Sequence, residues 1–388
     1  MNIFVVGGGF AGIEAAKKIN TGKIKAKISL IDKKDFAVMI PVLPDLAGDK
    51  VRPAILKEKI ARLIPFNIPF IKEEVHEINL NEKEIVTDKN KYNYDYLVIT
   101  TGNTTNFFNF NKSLGKIYSL KSLDDTIKLK NDYLSYLNNT NNSNLNLVIS
   151  GGGYTGLELA SQLRERASFL KKDIKINIIE NSESVLPFLS SKQKKKALDY
   201  LERKKINIIC KSKVTDFDGK NVTINNGDKV INNVFFCWCA GTKLGIQVNG
   251  DNIEQLNDGR IIVNTKLQIP SYPEVFVAGD AAAIKKDKII LRKALNFSIY
   301  SGKYAGKNLS KLIKSKKMKN FKPFDLGWVI PLNDFSIGKI FNKIPVSGKL
   351  GLRLHYFMSG YRNYNLKNAF SFYLIALKLF KYSGKLKK

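Results

Sequence analysis

Short apolar runs recur along the chain, and most of them end in glycine or another small residue. Residues 3–6, 28–31, 97–99, 147–149, 176–179, 234–238 and 275–277 are apolar or nearly so, and turn-forming residues bound them. Runs of this length predict strands buried on both faces. Residues 66–77, 84–87 and 210–223 add further strands. Between the runs, apolar positions recur every three or four residues over 13–19, 121–137, 157–163, 193–204 and 296–309, which predicts helices. Residues 36–48 are apolar but interrupted by Pro41 and Pro44, and read as an irregular loop covering something flat. The Asn/Thr/Ser stretch 138–146 reads as a surface loop. Strands alternating with helices predict a three-layer α/β fold with parallel sheets.

Two of the strand-to-helix turns carry the same pattern. The first strand enters Gly7-Gly8-Gly9-Phe10-Ala11-Gly12, and the run at 147–149 enters Gly151-Gly152-Gly153-Tyr154-Thr155-Gly156. In such a GxGxxG turn the first glycine makes the tight turn, the second lets backbone approach a pyrophosphate, and the third lets helix pack on strand. The helix start then offers N–H groups and a positive dipole end to the phosphates. An acid roughly 20–25 residues on takes a ribose hydroxyl; Asp32 and Glu180 close the next apolar runs. The chain therefore reads as holding two dinucleotides. Glu180 favours NADH over NADPH, because a carboxylate accepts from a 2′-hydroxyl and repels a 2′-phosphate. No arginine stands in residues 181–184.

Charge and cysteine content narrow the classes. Lys and Arg number 64 against 34 Asp and Glu, a net charge of +30, which favours anionic surfaces, lipid or nucleic acid. The lysines are scattered through every segment, without a basic block or interleaved aromatics, so no nucleic acid is expected as partner. Cys210, Cys237 and Cys239 form no CxxC pair and fit a reducing compartment. Cys237 and Cys239 read as packing residues, as does His76. The first strand follows Met1 at once, so no leader peptide is expected.

On these motifs the chain resembles the flavin-dependent two-dinucleotide oxidoreductases, and within them the type II NADH dehydrogenases, single-subunit NADH:quinone oxidoreductases. The strand ending Thr100-Thr101-Gly102 is similar to the family's ATG motif, residues 275–282 to its VFVAGDAA stretch, Cys239-Ala240-Gly241 to its AAG turn, and residues 40–47 to its PLLPEVA stretch beside the flavin. The resemblance implies two Rossmann-like domains, with an FAD domain (1–115 and 245–325) split by an inserted NADH domain (116–244), and a C-terminal membrane-contact region (326–388). It implies FAD held by Gly7, Gly9, Phe10, Ala11, Gly12, Asp32, Lys33, Pro41, Val75, Thr101, Gly102, Gly279 and Asp280; a helix N-cap is the other reading of Asp280. It implies NADH held by Gly151, Gly153, Tyr154, Thr155, Gly156, Glu180, Ala240 and Gly241. Glu158 is the candidate catalytic residue, because its family counterpart approaches the junction of nicotinamide and flavin; Glu14, at the same offset in the first motif, reads as a surface glutamate. The family's AQxAxQ helix is altered here: Asn296 and Tyr300 stand where two glutamines are usual, and with Ile299 they are the candidate quinone contacts.

The implied activity passes a hydride from NADH to FAD and two electrons to a membrane quinone, without proton pumping. Disulfide reductases and sulfide:quinone oxidoreductases need cysteines beside the flavin, and none precedes Cys210. At about 100° per residue, the segment 366–382 puts Lys367, Ser371, Lys378 and Lys381 on one stripe. Ala369, Phe370, Tyr373, Ala376, Leu377 and Phe380 form an apolar face. The segment is too short of apolar residues to span a bilayer, which takes ~20, and reads as an in-plane interfacial helix. Residues 350–362, with Tyr356-Phe357-Met358, read as a second such element. A peripheral enzyme on the cytoplasmic face of the cell membrane follows; a helix packed in the core or at a homodimer interface is the other reading of the same face. Two alternatives are a soluble FAD-dependent NAD(P)H:ferredoxin-like reductase and a nucleic-acid-binding flavoprotein of the apoptosis-inducing-factor kind.

Overall fold

The computed structural model describes residues 1–20, 24–108, 110, 116–138, 144–287 and 289–378. Among them the helices are α1 (Phe10–Asn20), α2 (Leu43–Ala47), α3 (Ile60–Leu63), α4 (Leu123–Asn138), α5 (Tyr154–Phe169), α6 (Ser191–Arg203), α7 (Leu295–Ile313), α8 (Lys349–Tyr361) and α9 (Leu366–Lys378). The chain divides into two compact units, one of residues 1–38, 57–104 and 242–325, the other of 39–56, 105–241 and 326–388.

The first unit is built on a six-stranded sheet in the order Gln268–Ile269, Tyr272–Val277, Tyr96–Ile99, Asn2–Val6, Lys27–Asp32, Phe70–Lys72. All neighbours are parallel except the first pair. The inner strands carry Ile3, Val5, Leu30, Ile31, Leu97, Val98 and Phe276 without measurable exposure, as strands covered on both faces should. Helices α1 and α7 lie against each other in this unit. Their backbones meet at Gly302 and Gly306, four apart on α7: a Cβ there would stand 2.2 Å from the Ala11 carbonyl oxygen and 2.4 Å from that of Ala15.

The second unit repeats the plan. Its parallel sheet runs Ile117–Tyr118, Val234–Trp238, Leu145–Ser150, Ile174–Ile179, Ile206–Ile209. An antiparallel sheet of Gly327–Leu332, Phe335–Ile340 and Ile344–Ser347 follows, and α8 packs on it.

Three expectations are corrected. Residues 36–48 are not an irregular loop throughout: after the strand Phe36–Val38 comes a single 3-10 turn, Ile40–Val42, and then α2. Pro44 sits at its first turn, where its missing N–H costs nothing. Met39, Val42, Leu43, Pro44 and Leu46 are buried, so much of this stretch belongs to a core. The strand Leu145–Ser150 starts inside the expected loop 138–146, whose residues 139–143 lie outside the described residues. The C-terminal helices divide their apolar residues between two faces. Tyr356 and Phe372 are buried, whereas Leu350, Phe357, Tyr361, Leu366, Phe370 and Leu377 are 53–89 % exposed. Phe380 and Lys381 of the expected amphipathic pattern lie outside the described residues.

Candidate functional site

In the first unit the strand Asn2–Val6 delivers the chain to Gly7, which has φ +105°, a conformation open to glycine. The turn is closed by Gly7 N–H donating to the Ile31 carbonyl (2.8 Å) and by Thr100 Oγ1 donating to the carbonyls of Val6 and Gly7 (2.8 and 2.9 Å). At Gly12 a Cβ would fall 1.8 Å from the Gly7 oxygen, so helix and strand approach as closely as the motif requires. At Gly9 a Cβ would meet nothing within 4 Å, and the residue is exposed. Asp32 Oδ2 accepts from Gly8 N–H at 2.6 Å and Oδ1 from Lys34 N–H at 2.8 Å. Burial raises the Asp32 carboxyl above its usual range, against the pull of these two bonds.

The second unit reproduces this arrangement. Gly151 also has φ +105°, and its N–H donates to the Ile179 carbonyl at 2.8 Å. A Cβ at Gly156 would lie 2.0 Å from the Gly151 oxygen, and one at Gly153 would meet nothing within 4 Å. Glu180 Oε2 accepts from Gly152 N–H at 2.7 Å and Oε1 from Ser182 N–H at 2.8 Å. In both units a carboxylate braces the glycine turn and keeps lone pairs for a ribose hydroxyl. Gly153, Thr155 and Ala240 are exposed around the second turn. Tyr154 stacks on Phe188 (centroids 5.0 Å apart), and Trp328 meets both edge-on.

The remaining candidates fall into place unevenly. Thr101 Oγ1 is buried without a hydrogen-bond partner among the described residues, and Gly102 beside it has φ +67° with open space where a Cβ would stand. Gly279 N–H donates to Ser301 Oγ, and Asp280 accepts from Asn103 Nδ2 at 2.8 Å and Ser298 Oγ at 3.3 Å. Asp280 is not a helix cap: it lies in the 3-10 turn Gly279–Ala281, capped by Ala278, and α7 starts only at Leu295. Lys33 pairs with Glu74 at 2.8 Å, and Val75 is a core residue of a separate four-stranded sheet. Pro41 belongs to the second unit. Asn296, Ile299 and Tyr300 share one face of α7, but Asn296 is 3 % exposed and its amide donates to the Phe324 carbonyl at 3.2 Å. The glycine turn, the open ground at Gly9 and the unpartnered Thr101 hydroxyl suit a dinucleotide with a polar hydroxylated chain, which is what FAD offers.

Glu158 and its counterpart in the first motif part company. Glu14 pairs with Lys17 at 3.3 Å and Lys303 at 3.6 Å. No side chain among the described residues hydrogen-bonds or pairs with Glu158. Its surface is only partly covered, yet it lies deep among the atoms of its unit, and this desolvation, with the Asp45 charge second, lifts its carboxyl well above the usual range. Around it stands a group that sequence patterns do not mark. Asp45 on α2 is 1 % exposed, and its Oδ1 accepts from Gln162 Nε2 at 2.8 Å and from the Tyr356 hydroxyl at 2.6 Å. Gln162 follows Glu158 by one helical turn on α5, so the two share a face. The one clue in the sequence is the acid at position 45 of the PLLPEVA-like stretch.

Comparisons with known proteins agree with the geometry. Residues 1–298 match the pattern of the family described as pyridine nucleotide-disulphide oxidoreductase. The chain is similar to the type II NADH:quinone oxidoreductase of Staphylococcus aureus, with 24% identity over 375 residues, 89% of this chain and 91% of that one. Its fold is similar to NDH2 from Plasmodium falciparum in complex with NADH (TM-score 0.81, 17% identity, 100% and 99% of the two chains). It is also similar to the sulfide:quinone oxidoreductase of Aquifex aeolicus (TM-score 0.77, 20% identity, 98% and 95%).

Proposed function

This chain belongs to the pyridine nucleotide-disulphide oxidoreductase family, and we propose that it is an FAD-dependent NADH:quinone oxidoreductase of the non-pumping, type II kind. The observation that carries the reading is the duplicated turn: two glycine loops of the same geometry, each braced by its own carboxylate, Asp32 and Glu180. One turn serves FAD and the other NADH, the nucleotide that the names of two similar proteins print. FAD, when bound, supplies a two-electron carrier between nicotinamide and acceptor.

The side chains bind, orient and handle protons. Gly9 and Gly153 leave room for pyrophosphate, and the helix starts behind them stabilise its charge. Glu180 selects the nucleotide without a 2′-phosphate. A hydride from NADH carries two electrons and one proton, whereas a quinone reduced to quinol takes two of each, so one further proton comes from solvent. Glu158, whose carboxyl burial raises well above its usual range, is a group suited to hold and pass on such a proton. The likeness to a sulfide:quinone oxidoreductase does not extend to its chemistry, because Cys237 and Cys239 are held as unreactive thiols, Cys239 pushed up to about 12 by burial.

The exposed apolar residues of α8 and α9 support membrane contact. Leu350, Phe357 and Tyr361 form one stripe and Leu366, Phe370 and Leu377 another, with Lys367 and Lys378 beside the second. No helix among the described residues is long and apolar enough to cross a membrane, so this reading makes the enzyme peripheral, on the cytoplasmic face, where NADH is. The purified protein is expected to oxidise NADH in proportion to added quinone and to leave sulfide untouched. Quinone reduction by sulfide, or NADH oxidation indifferent to quinone, would contradict the reading.

A further inference from the structure

Asp45, Gln162 and Tyr356 come from three separate helices of the second unit, α2, α5 and α8, and meet at a single oxygen. Both hydrogen bonds of Asp45 fall on Oδ1, and both are donated to it, from the Gln162 amide and the Tyr356 hydroxyl. All three residues are at most 2 % exposed. Helices α2 and α5 approach so closely here that a Cβ on Gly48 would stand 2.9 Å from Gln162. Glu158 precedes Gln162 by one turn of α5, so a carboxylate held on Gln162 stands beside the face that carries Glu158.

We propose that Asp45 is a positioning residue for Glu158: fixed by Tyr356 and Gln162, it holds its carboxylate beside the face of α5 that carries Glu158, and the like charge there makes Glu158 harder to ionise. The inference deepens the role given to Glu158 above and rests on it. A like charge within electrostatic reach in a poorly solvated site raises the cost of ionising a carboxyl group, so Glu158 keeps its proton to higher pH. The other groups facing the pair are few. From α8, Tyr356 is turned toward Asp45 and Glu158, and burial and both acids keep its hydroxyl protonated. Behind the strand Val234–Trp238 stands the neutral thiol of Cys239. Beside Asp45 lie His355, held neutral by burial, and Lys50, whose ammonium donates to the Asn333 carbonyl at 3.3 Å. The two oxygens Asp45 Oδ2 and Gln162 Oε1 and the His355 Nε2 are buried without hydrogen-bond partners among the described residues.

The test follows the infrared band of a protonated carboxyl group as pH rises, together with the pH profile of quinone-dependent turnover, in the FAD-loaded enzyme. Glu158→Gln should remove the band. Asp45→Asn keeps an oxygen for both donors but removes the charge, and should lower the midpoint of the band by about one pH unit or more, moving the turnover limb the same way. Tyr356→Phe, which fills the same space, should shift the midpoint in the same direction and covers the case in which Asp45→Asn does not fold. A midpoint unmoved by Asp45→Asn or, failing that, by Tyr356→Phe, while Glu158→Gln removes the band, overturns the proposal and leaves the role of Glu158 standing. A midpoint that moves while turnover keeps its profile overturns the role of Glu158 and the proposal with it.

Discussion

A methyl group at Gly12 or Gly156 would overlap the carbonyl oxygen of the turn's first glycine, at 1.8 and 2.0 Å. Relief of such overlap costs about 1–3 kcal/mol, and it falls on the loop that meets the pyrophosphate. Gly12→Ala is therefore expected to yield protein depleted of flavin, and Gly156→Ala protein that keeps its flavin but has a KM for NADH raised tenfold or more; flavin content and steady-state kinetics check both. Glu180 sets a second expectation. NADH should be preferred to NADPH, and Glu180→Ser should narrow the ratio of their kcat/KM values, chiefly by loss of NADH affinity. For Glu158 the linkage has a definite sign. Its carboxyl is raised above 4.5 in the folded state, so between that value and the folded midpoint the native protein holds a proton that the unfolded chain releases. Stability then falls as pH rises through this window. Glu158→Gln lacks the slope, so its gain in melting temperature over the natural protein should grow with pH; a constant difference would show Glu158 to be solvated.

At the scale of elements, a continuous apolar run or a regular spacing serves well, and a pattern that is very short or apolar on more than one face serves poorly. The centres of the strands 2–6, 145–150 and 272–277 and the helices α4, α6 and α7 are legible because their apolar runs are continuous or regularly spaced. Helix α2 is not: five residues are too few for a period, and its prolines suggest a loop. Helix α9 shows the other failure. Its apolar positions exceed one face, and spacing alone does not tell that Phe372 and Ala376 pack inward while Phe370 and Leu377 face out. Placing a Phe or Leu side chain in lipid is worth about 1.5–3 kcal/mol. Phe370→Ser with Leu377→Ser should thus lower affinity for anionic vesicles tenfold or more, and leave the melting temperature in place because neither side chain is buried. Undiminished vesicle binding would take the membrane contact away from α9.

For the whole molecule, the two dinucleotide turns are legible in the sequence because each is local: strand, glycines, helix and acid lie within some thirty residues. The group around Glu158 is not, because Gln162 and Tyr356 lie 117 and 311 positions from Asp45 and no periodicity links them. Charge is partly local: Lys307, Lys311, Lys316 and Lys319 are close in the sequence, and Lys18 from α1 joins them around one concavity. With a net charge of +30, binding to anionic vesicles should weaken as salt rises. The central claim is that NADH reduces a flavin bound by this chain and that quinone reoxidises it, with no thiol in the path. Anaerobic titration of the purified protein with NADH tests it most directly. The account predicts a yellow protein whose visible flavin band bleaches stoichiometrically and returns on addition of a short-chain quinone, with cysteines blocked or free. A colourless protein that takes up no FAD, or a flavin band that NADH leaves unchanged, would contradict it.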